Sequence, residues 1–382
     1  MSANKYLIVL GGPTASGKTS FAIELARHYQ TEIVSCDSRQ FYREMTIGTA
    51  KPTLEEQAQV KHHFINSLSI EDDYSVGDFE KEALVLLEDL FRTRDYVVMS
   101  GGSGLFINAV CFGLDAFPEV PERIRKQVEA DFEEKGIGYL QEALKTGDPE
   151  YYEQVDLQNP HRLMRAIEVI RATAKPFSSF RKGKNPERSF KPIFLQMHHT
   201  REVLYQRINT RVDGMMAAGL LEEVNCLLAE KHLNGLQTVG YQELIAHFEA
   251  KLSLEKAVEL IKQNSRRYAK RQITWMRRDG FWKHFRPEET EMAFDYISLV
   301  VQEKLRLAIM PSAALGIEVY TMFPQNTKVL AAFNQSSLKA YLAFEIHPKK
   351  TVWYNPVILE GDQQLETILN HEARLLREEM GK

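Results

Sequence analysis

The stretch Gly11-Gly12-Pro13-Thr14-Ala15-Ser16-Gly17-Lys18-Thr19-Ser20 decides the fold of this chain. It follows the apolar run Tyr6-Leu7-Ile8-Val9-Leu10 and precedes Phe21-Ala22-Ile23-Glu24-Leu25-Ala26, whose pattern is that of a helix. Strand, glycine-rich turn and helix start are the context that a phosphate-binding P-loop requires. Glycines let the backbone curl so that successive N–H groups meet one anion at the positive end of the following helix. Gly12 through Thr19 are therefore the expected anion cradle. Lys18 would add a point charge, and the Thr19 hydroxyl is placed to hold Mg²⁺.

Outward from the loop, Glu32-Ile33-Val34-Ser35-Cys36 reads as a second buried strand that delivers Asp37 at its carboxyl end. Open α/β sheets place their ligands there. A long loop, 38–53, contains Gly48, Thr49 and Lys51. Helical spacing over 75–93 leads to the strand Tyr96-Val97-Val98-Met99-Ser100, which ends in Gly101-Gly102-Ser103-Gly104. Strand, helix and strand with short links imply an α/β fold, a P-loop NTPase-like parallel sheet with right-handed crossovers. A P-loop NTPase would carry a Walker B acid at a strand end. The strand ending at Ser100 has none. Asp37 is the well-placed carboxylate, able to steer Mg²⁺ or to accept a proton, and both roles stay open at this level.

Beyond Gly113, Pro118 and Pro121 interrupt the chain, and charge-rich helical segments follow at 122–135 and 137–145. Residues 1–113 are expected to form the first part of the core, 114–158 a helical insertion, and 159–304 the second part of the core. A helix starts at Asn159-Pro160, a strand returns at Pro192–Met197, and Gly219 breaks a helical stretch that holds Arg207 and Arg211. Residues 176–191 read as a basic loop. The segment 253–278 is a long helix whose Ile261, Tyr268 and Trp275 form an expected core stripe. Arg266, Arg267, Lys270, Arg271, Arg277 and Arg278 surround that stripe without an acid among them. Such like-charge spacing is repulsive unless an anion lies between, and it points to a nucleic-acid backbone. Residues 305–382 look like a small appended α+β module, with strands at Ile317–Tyr320, Lys339–Phe344 and Thr351–Tyr354 and a helix over 363–380.

The whole chain has 382 residues, 44% hydrophobic and 26% charged, as expected of a soluble protein of two or three domains. Its net charge of −4 means that any nucleic-acid partner must be met by a local basic surface. Cys36, Cys111 and Cys226 have no metal-ligand spacing and read as buried, reduced thiols of a cytoplasmic protein. No apolar run approaches the roughly eighteen residues needed to span a bilayer, so no membrane partner is expected.

The motifs together resemble the tRNA dimethylallyltransferases, or isopentenyl-tRNA transferases. The resemblance rests on Gly12–Thr19, Asp37-Ser38-Arg39-Gln40-Phe41-Tyr42 and Ile47-Gly48-Thr49-Ala50-Lys51-Pro52. It continues through Gly101–Phe106, Gly113-Leu114-Asp115, Asn159–Glu168, Val239-Gly240-Tyr241 and Tyr268–Arg277. It covers residues 5–300 in family order and leaves the C-terminal module outside. It implies that the loop holds dimethylallyl diphosphate and that the prenyl group moves to N6 of the adenosine 3′ to the anticodon. Asp37 would then be the general base, and Lys18, Thr19 with Mg²⁺, Ser103 and Arg211 would stabilise the leaving diphosphate. Ser38, Arg39, Gln40 and Ser103 would meet the flipped adenosine and its neighbours. Arg39 stands where the family tends to have a smaller or uncharged residue, and is expected to add a phosphate contact. The remaining implied tRNA contacts are Arg125, His161, Arg162, Leu163, Met164, Arg165, Thr238, Val239, Gly240, Tyr241, Gln242, Lys270, Arg271, Gln272 and Arg277. The insertion would clamp the anticodon stem, and a monomer suffices for one tRNA. The competing readings are an adenylate isopentenyltransferase acting on free AMP or ATP, a P-loop small-molecule kinase, and an RNA-binding protein with a dead site.

Overall fold

The computed structural model describes residues 4–181, 186–278, 282–303, 306–311, 327–334, 337–346, 351–353, 357–358 and 363–379. The chain divides into two compact units, Met1–Cys111 with Arg188–Lys382, and Phe112–Glu187.

In the first unit, the apolar runs pair into one six-stranded sheet. Its strands are β1 (Tyr6–Gly11), β2 (Ile33–Ser35), β3 (His62–His63), β4 (Tyr96–Ser100), β5 (Lys191–Met197) and β6 (Lys283–Phe285). They lie in the order β3-β2-β4-β1-β5-β6, and every pairing is parallel. Strand β1 is central, with Ile8 opposite Val98 on one side and Ile193 on the other. It is buried along its whole length, as a parallel strand covered on both faces must be. The helices of this unit are α1 (Lys18–His28), α2 (Leu54–Gln59), α3 (Val76–Thr93) and α4 (Gly104–Phe112), the last running into the second unit by one residue. A shared core joins Ile8 and Leu10 of β1 to Phe21 and Leu25 of α1 and to Phe285 of β6.

The second unit is helical. Its helices are α5 (Glu122–Gly147), broken at Gly136, then α6 (Pro149–Tyr152) and α7 (Pro160–Thr173). Val128, Leu140 and Leu144 of α5 pack with Leu163, Ala166 and Ile167 of α7. Helix α7 was expected in the core, beyond an insertion ending at residue 158. Its apolar face instead completes the insert, so the compact unit runs on to Glu187. The chain re-enters the first unit at Arg188, whose guanidinium donates to Glu80 Oε1 at 2.6 Å and to the Ala109 carbonyl at 2.8 Å.

Back in the first unit follow α8 (Arg201–Ala217), α9 (Leu220–Cys226), α10 (Tyr241–Phe248), α11 (Leu254–Arg278) and α12 (Thr290–Val301). An antiparallel sheet comprises β7 (Arg306–Pro311), β8 (Thr327–Asn334), β9 (Ser337–Ile346), β10 (Thr351–Trp353) and β11 (Val357–Ile358). The expected strand Ile317–Tyr320 lies outside the described residues, as does Tyr354. Helix α13 (Gln363–Glu379) contacts β6, β8 and β9. Its Ile368, Leu369, Ala373 and Leu376 enter the same core as β1 and α1. The terminal helix is therefore part of the main core, and the appended module is not closed on itself.

A buried polar cluster fixes α13 to the sheet. The Lys283 ammonium donates to Glu372 Oε2 at 2.8 Å and contacts His371 Nδ1 at 2.8 Å. Glu372 also accepts the His284 backbone N–H at 3.0 Å and meets the His284 ring, while His371 reaches Glu289 at 2.9 Å. Burial pushes the Glu372 carboxyl up, but Lys283 and His284 outweigh it and hold it at about 2. Among the described residues, no helix is long and apolar enough to cross a membrane. Cys36 and Cys111 are buried, but Cys226 is exposed, because it sits on the outer face of the short α9.

Candidate active site

The parallel sheet brings the segments after β1, β2 and β4 to one edge. Gly17 caps α1 with φ 88°, a backbone that glycine adopts without strain. Lys18 Nζ folds back on its own loop and donates to the carbonyls of Gly12 at 3.0 Å and Pro13 at 2.8 Å. Helix α8 adds two arginines one turn apart. Arg207 Nε donates to the Ala15 carbonyl at 2.8 Å, and Arg211 reaches Thr14 Oγ1 at 3.4 Å and the Ala50 carbonyl at 3.5 Å. Among the described residues, none of these three cations is ion-paired to a carboxylate. Burial pulls the Lys18 ammonium down to about 8; Asp37 opposes this and Arg211 adds to it. Burial likewise lowers Arg211, against Asp37. A polyanion entering here meets cations held in place only by carbonyl and hydroxyl oxygens.

Two cavities meet at this point. One, of about 580 Å³, is lined by the P-loop with Gln40, Ala50, Glu56, Arg207 and Thr210. The other, of about 360 Å³, is lined by Ser38, Arg39, Gly48, Thr238–Gly240, Gln242 and Arg271. Thr14, Ala15, Asp37, Thr49, Arg211 and Tyr268 line both. Asp37 thus stands in the shared wall. Its Oδ1 accepts the Arg39 N–H at 3.1 Å. The Ser103 hydroxyl accepts the Ser38 N–H at 3.4 Å and hydrogen-bonds the Tyr268 phenol. Burial and then Asp37 push that phenol up to about 12. Thr19 and Asp37 supply hard oxygen donors to one cavity. No cluster of three metal-ligating side chains exists among the described residues. That donor set fits Mg²⁺, which takes one or two protein oxygens and completes its shell with phosphate and water.

The structure brings Gly12–Thr19, Asp37, Ser38, Arg39, Ser103, Arg211, Thr238, Val239, Gly240, Gln242 and Arg271 to this edge. Lys270, Arg271 and Arg277 are exposed on α11. Other expected contacts are tied to protein partners, although Gln40 and Gln272 also line the larger cavity. Gln272 is buried, taking the Thr14 N–H at 2.9 Å and donating to the Gly102 carbonyl at 3.1 Å, so it splints the P-loop instead of facing RNA. Tyr241 is fully buried and donates to Glu223 at 2.6 Å. Gln40 Nε2 is bonded to the carbonyls of Thr49 and Ala50, both at 3.2 Å. In the insert, Arg125, His161 and Arg162 are exposed. Leu163 is core, Met164 packs against that core, and Arg165 pairs with Glu168 at 3.4 Å. Arg266 is half-buried and donates to Asn209 Oδ1 at 2.6 Å.

Tyr268, Arg207 and Thr49 are among the site residues that escaped the sequence reading. Tyr268 was assigned to the core stripe, yet it lines both cavities. Arg207 carried no expected role, although its spacing of four from Arg211 places both on one helix face.

This fold and site define a P-loop-type α/β enzyme whose P-loop cavity opens beside a second cavity lined by Arg39 and Arg271. A family model described as IPP transferase matches residues 40–279. The tRNA dimethylallyltransferase of Christiangramia forsetii is 52% identical over 295 residues, 77% of this chain and 98% of the relative. That of Flavobacterium johnsoniae is 51% identical over 287 residues, 74% of this chain and 93% of the relative. The crystal structure of the tRNA isopentenylpyrophosphate transferase from Bacillus halodurans superposes with a TM-score of 0.59 at 32% identity, covering 78% of this chain and 98% of that one. A eukaryotic dimethylallyltransferase acting on tRNA shares the fold, with a TM-score of 0.66 at 23% identity over 78% of this chain and 79% of that one. The chain belongs to the IPP transferase family.

Proposed function

We propose that this enzyme transfers the dimethylallyl group of dimethylallyl diphosphate to N6 of the adenosine 3′ to the anticodon of tRNA, releasing diphosphate. The observation that carries this reading is Asp37 in the wall shared by the two cavities. The diphosphate lies among the P-loop N–H groups, Lys18, Arg207 and Arg211, and the adenine enters the second cavity past Ser38 and Thr238–Gly240. The N6 lone pair forms the new bond to C1 of the prenyl group as the C1–O bond breaks, and the electron pair leaves on diphosphate. Asp37 orients N6 and takes its proton. Lys18 and Arg211 meet the charge that builds on the leaving group, which is where electrostatic stabilisation counts most. Mg²⁺, held by the Thr19 hydroxyl, would supply further neutralisation of the diphosphate.

The adenosine must leave the anticodon stack to reach Asp37. Lys270, Arg271 and Arg277 contact the phosphate backbone, and the insert, through Arg125, His161 and Arg162, clamps the anticodon stem. The protein acts as a monomer in the cytoplasm, where its tRNA resides. Labelled dimethylallyl diphosphate offered with tRNA, with AMP or with no acceptor tests the reading. Label should pass to tRNA only. Transfer to AMP alone would assign the free-adenylate reaction, and ATP turnover without transfer a kinase. Asp37→Ala should keep tRNA affinity and lower the transfer rate by about 10²–10⁴-fold. Equal loss of binding would make Asp37 a structural residue.

A further inference from the structure

The loop that lines both cavities is held by a carboxylate outside either of them. Glu223 lies on α9. Its Oε2 accepts the N–H groups of Thr46 at 2.9 Å and Ile47 at 2.7 Å, and its Oε1 accepts that of Gly48 at 3.0 Å. Three consecutive backbone donors thus cup one side chain. The fourth bond comes from the Tyr241 hydroxyl at 2.6 Å. The tyrosine ring lies so close to Gly48 that a Cβ there would approach it to 2.5 Å, so only glycine fits.

The residues just beyond this anchor build the site. Thr49 lines both cavities, and its hydroxyl ties back to the Met45 carbonyl at 2.7 Å. The Thr49 and Ala50 carbonyls receive Gln40, and the Ala50 carbonyl also receives Arg211. At the far end, the Lys51 amine donates to the Tyr42 carbonyl and to Asn66 Oδ1. On the other side of Glu223, Tyr241 directly follows Thr238, Val239 and Gly240, which line the second cavity. One carboxylate therefore fixes a wall of the donor cavity and a wall of the acceptor cavity to a common point.

We infer that Glu223 is a positioning residue for prenyl transfer: it holds the 46–51 loop so that Arg211 is aimed at the diphosphate, and through Tyr241 it sets the adjoining acceptor wall in register with it. The inference rests on the transfer reaction proposed above. A carboxylate suits the task because three converging N–H groups and a phenol need a centre with only acceptors. Glutamine has the same shape but turns an NH₂ toward one pair of those donors.

The test is Glu223→Gln, with Tyr241→Phe and the double variant, in the full chain. Glu223→Gln should lower kcat by about tenfold to a hundredfold, the scale of a small misplacement of a reacting group. Affinity for tRNA should stay within about twofold, because the exposed cations of α11 are untouched. Tyr241→Phe keeps the ring and the three N–H bonds and should lower kcat by about threefold. The double variant should be no worse than Glu223→Gln, since both remove one unit. A kcat for Glu223→Gln within twofold of the parent, or tRNA affinity falling as far as kcat, overturns the inference. Should that variant not fold, Tyr241→Phe decides alone, and an unchanged kcat overturns it. Absence of transfer in the parent enzyme would instead refute the reaction itself.

Discussion

Two lysines, one on the parallel sheet and one at the start of α1, have opposite surroundings. Lys283, on edge strand β6, is completely buried and has a carboxylate at 2.8 Å. Lys18, at the start of the helix that follows central strand β1, is half-buried, and among the described residues its ammonium has only two loop carbonyls. In the first place the opposite charge is built into the protein. In the second, among the described residues, none is. A cation withdrawn from water is costly without a counter-charge, so a protein that keeps one unpaired does so where an anion binds. The pair separates architecture from function in a way that burial alone would not.

The comparison can be broken most forcefully at Glu372. Glu372→Ala strands the Lys283 ammonium and should cost about 3–5 kcal/mol of stability in denaturant titration, the usual penalty for halving a buried pair. Exchanging Lys283 for Met together with Glu372 for Leu should restore most of that loss. If the single variant is as stable as the parent, the cluster is not the fastener described.

Lys18→Met should do the reverse. It removes a cation that the donor-free protein does not neutralise, so the melting temperature should hold or rise, while kcat/KM drops by about 10²–10³-fold. A melting loss comparable with that of Glu372→Ala would erase the distinction between the two lysines.

The pH dependence sharpens the contrast at smaller amplitude. Lys18 titrates at about 8 in the folded protein and at its ordinary 10.5 when unfolded. Between those values the unfolded chain binds the extra proton, so stability of the donor-free protein should rise with pH. Bound diphosphate favours the charged lysine. Its affinity should therefore be full below about pH 8 and fall by up to about tenfold per unit above it. Calorimetric titrations at several pH values would check this, and a pH-independent affinity would contradict it.

Arg39 is the smallest case. Its guanidinium donates to the Asn234 carbonyl at 3.1 Å, and the residue lines the second cavity. We propose that it also contacts an RNA phosphate. Arg39→Ala should then weaken tRNA binding only a few-fold and lower the salt slope of log K by about one. If affinity and slope both stay put, the arginine serves the protein alone.

Much of the core was legible because its signals are local. The run before Gly11, the P-loop pattern and the strand before Asp37 each lie within a few residues, and the Gly136 and Gly219 breaks were equally plain. What escaped depends on partners far away in sequence. Helix α7 carries an apolar face that suits either unit, and only its packing on α5 assigns it. The three residues of β6 are too short to read as a strand, and the helix that covers them comes some eighty residues later. Tyr268 was misplaced by geometry. Ile261 is buried in the core and also lines the second cavity, and Tyr268, two turns on, is half-buried and lines both, so the stripe runs from the core into the cavity wall. Gln272 and Tyr241 lie in motifs shared with the family, but a motif does not say whether a side chain faces the substrate or holds the loop that does.

The Arg188 bonds to Ala109 and Glu80 have a consequence for how such an enzyme can change. They fasten the point of return beside the point of departure, so the helical insert begins and ends within one side chain's reach. Its seventy-odd residues form a detour that no strand of the parallel sheet depends on. Closing a longer detour costs entropy only as the logarithm of its length. The insert can thus be extended, trimmed or exchanged as a cassette, leaving the β-register and the P-loop as they are.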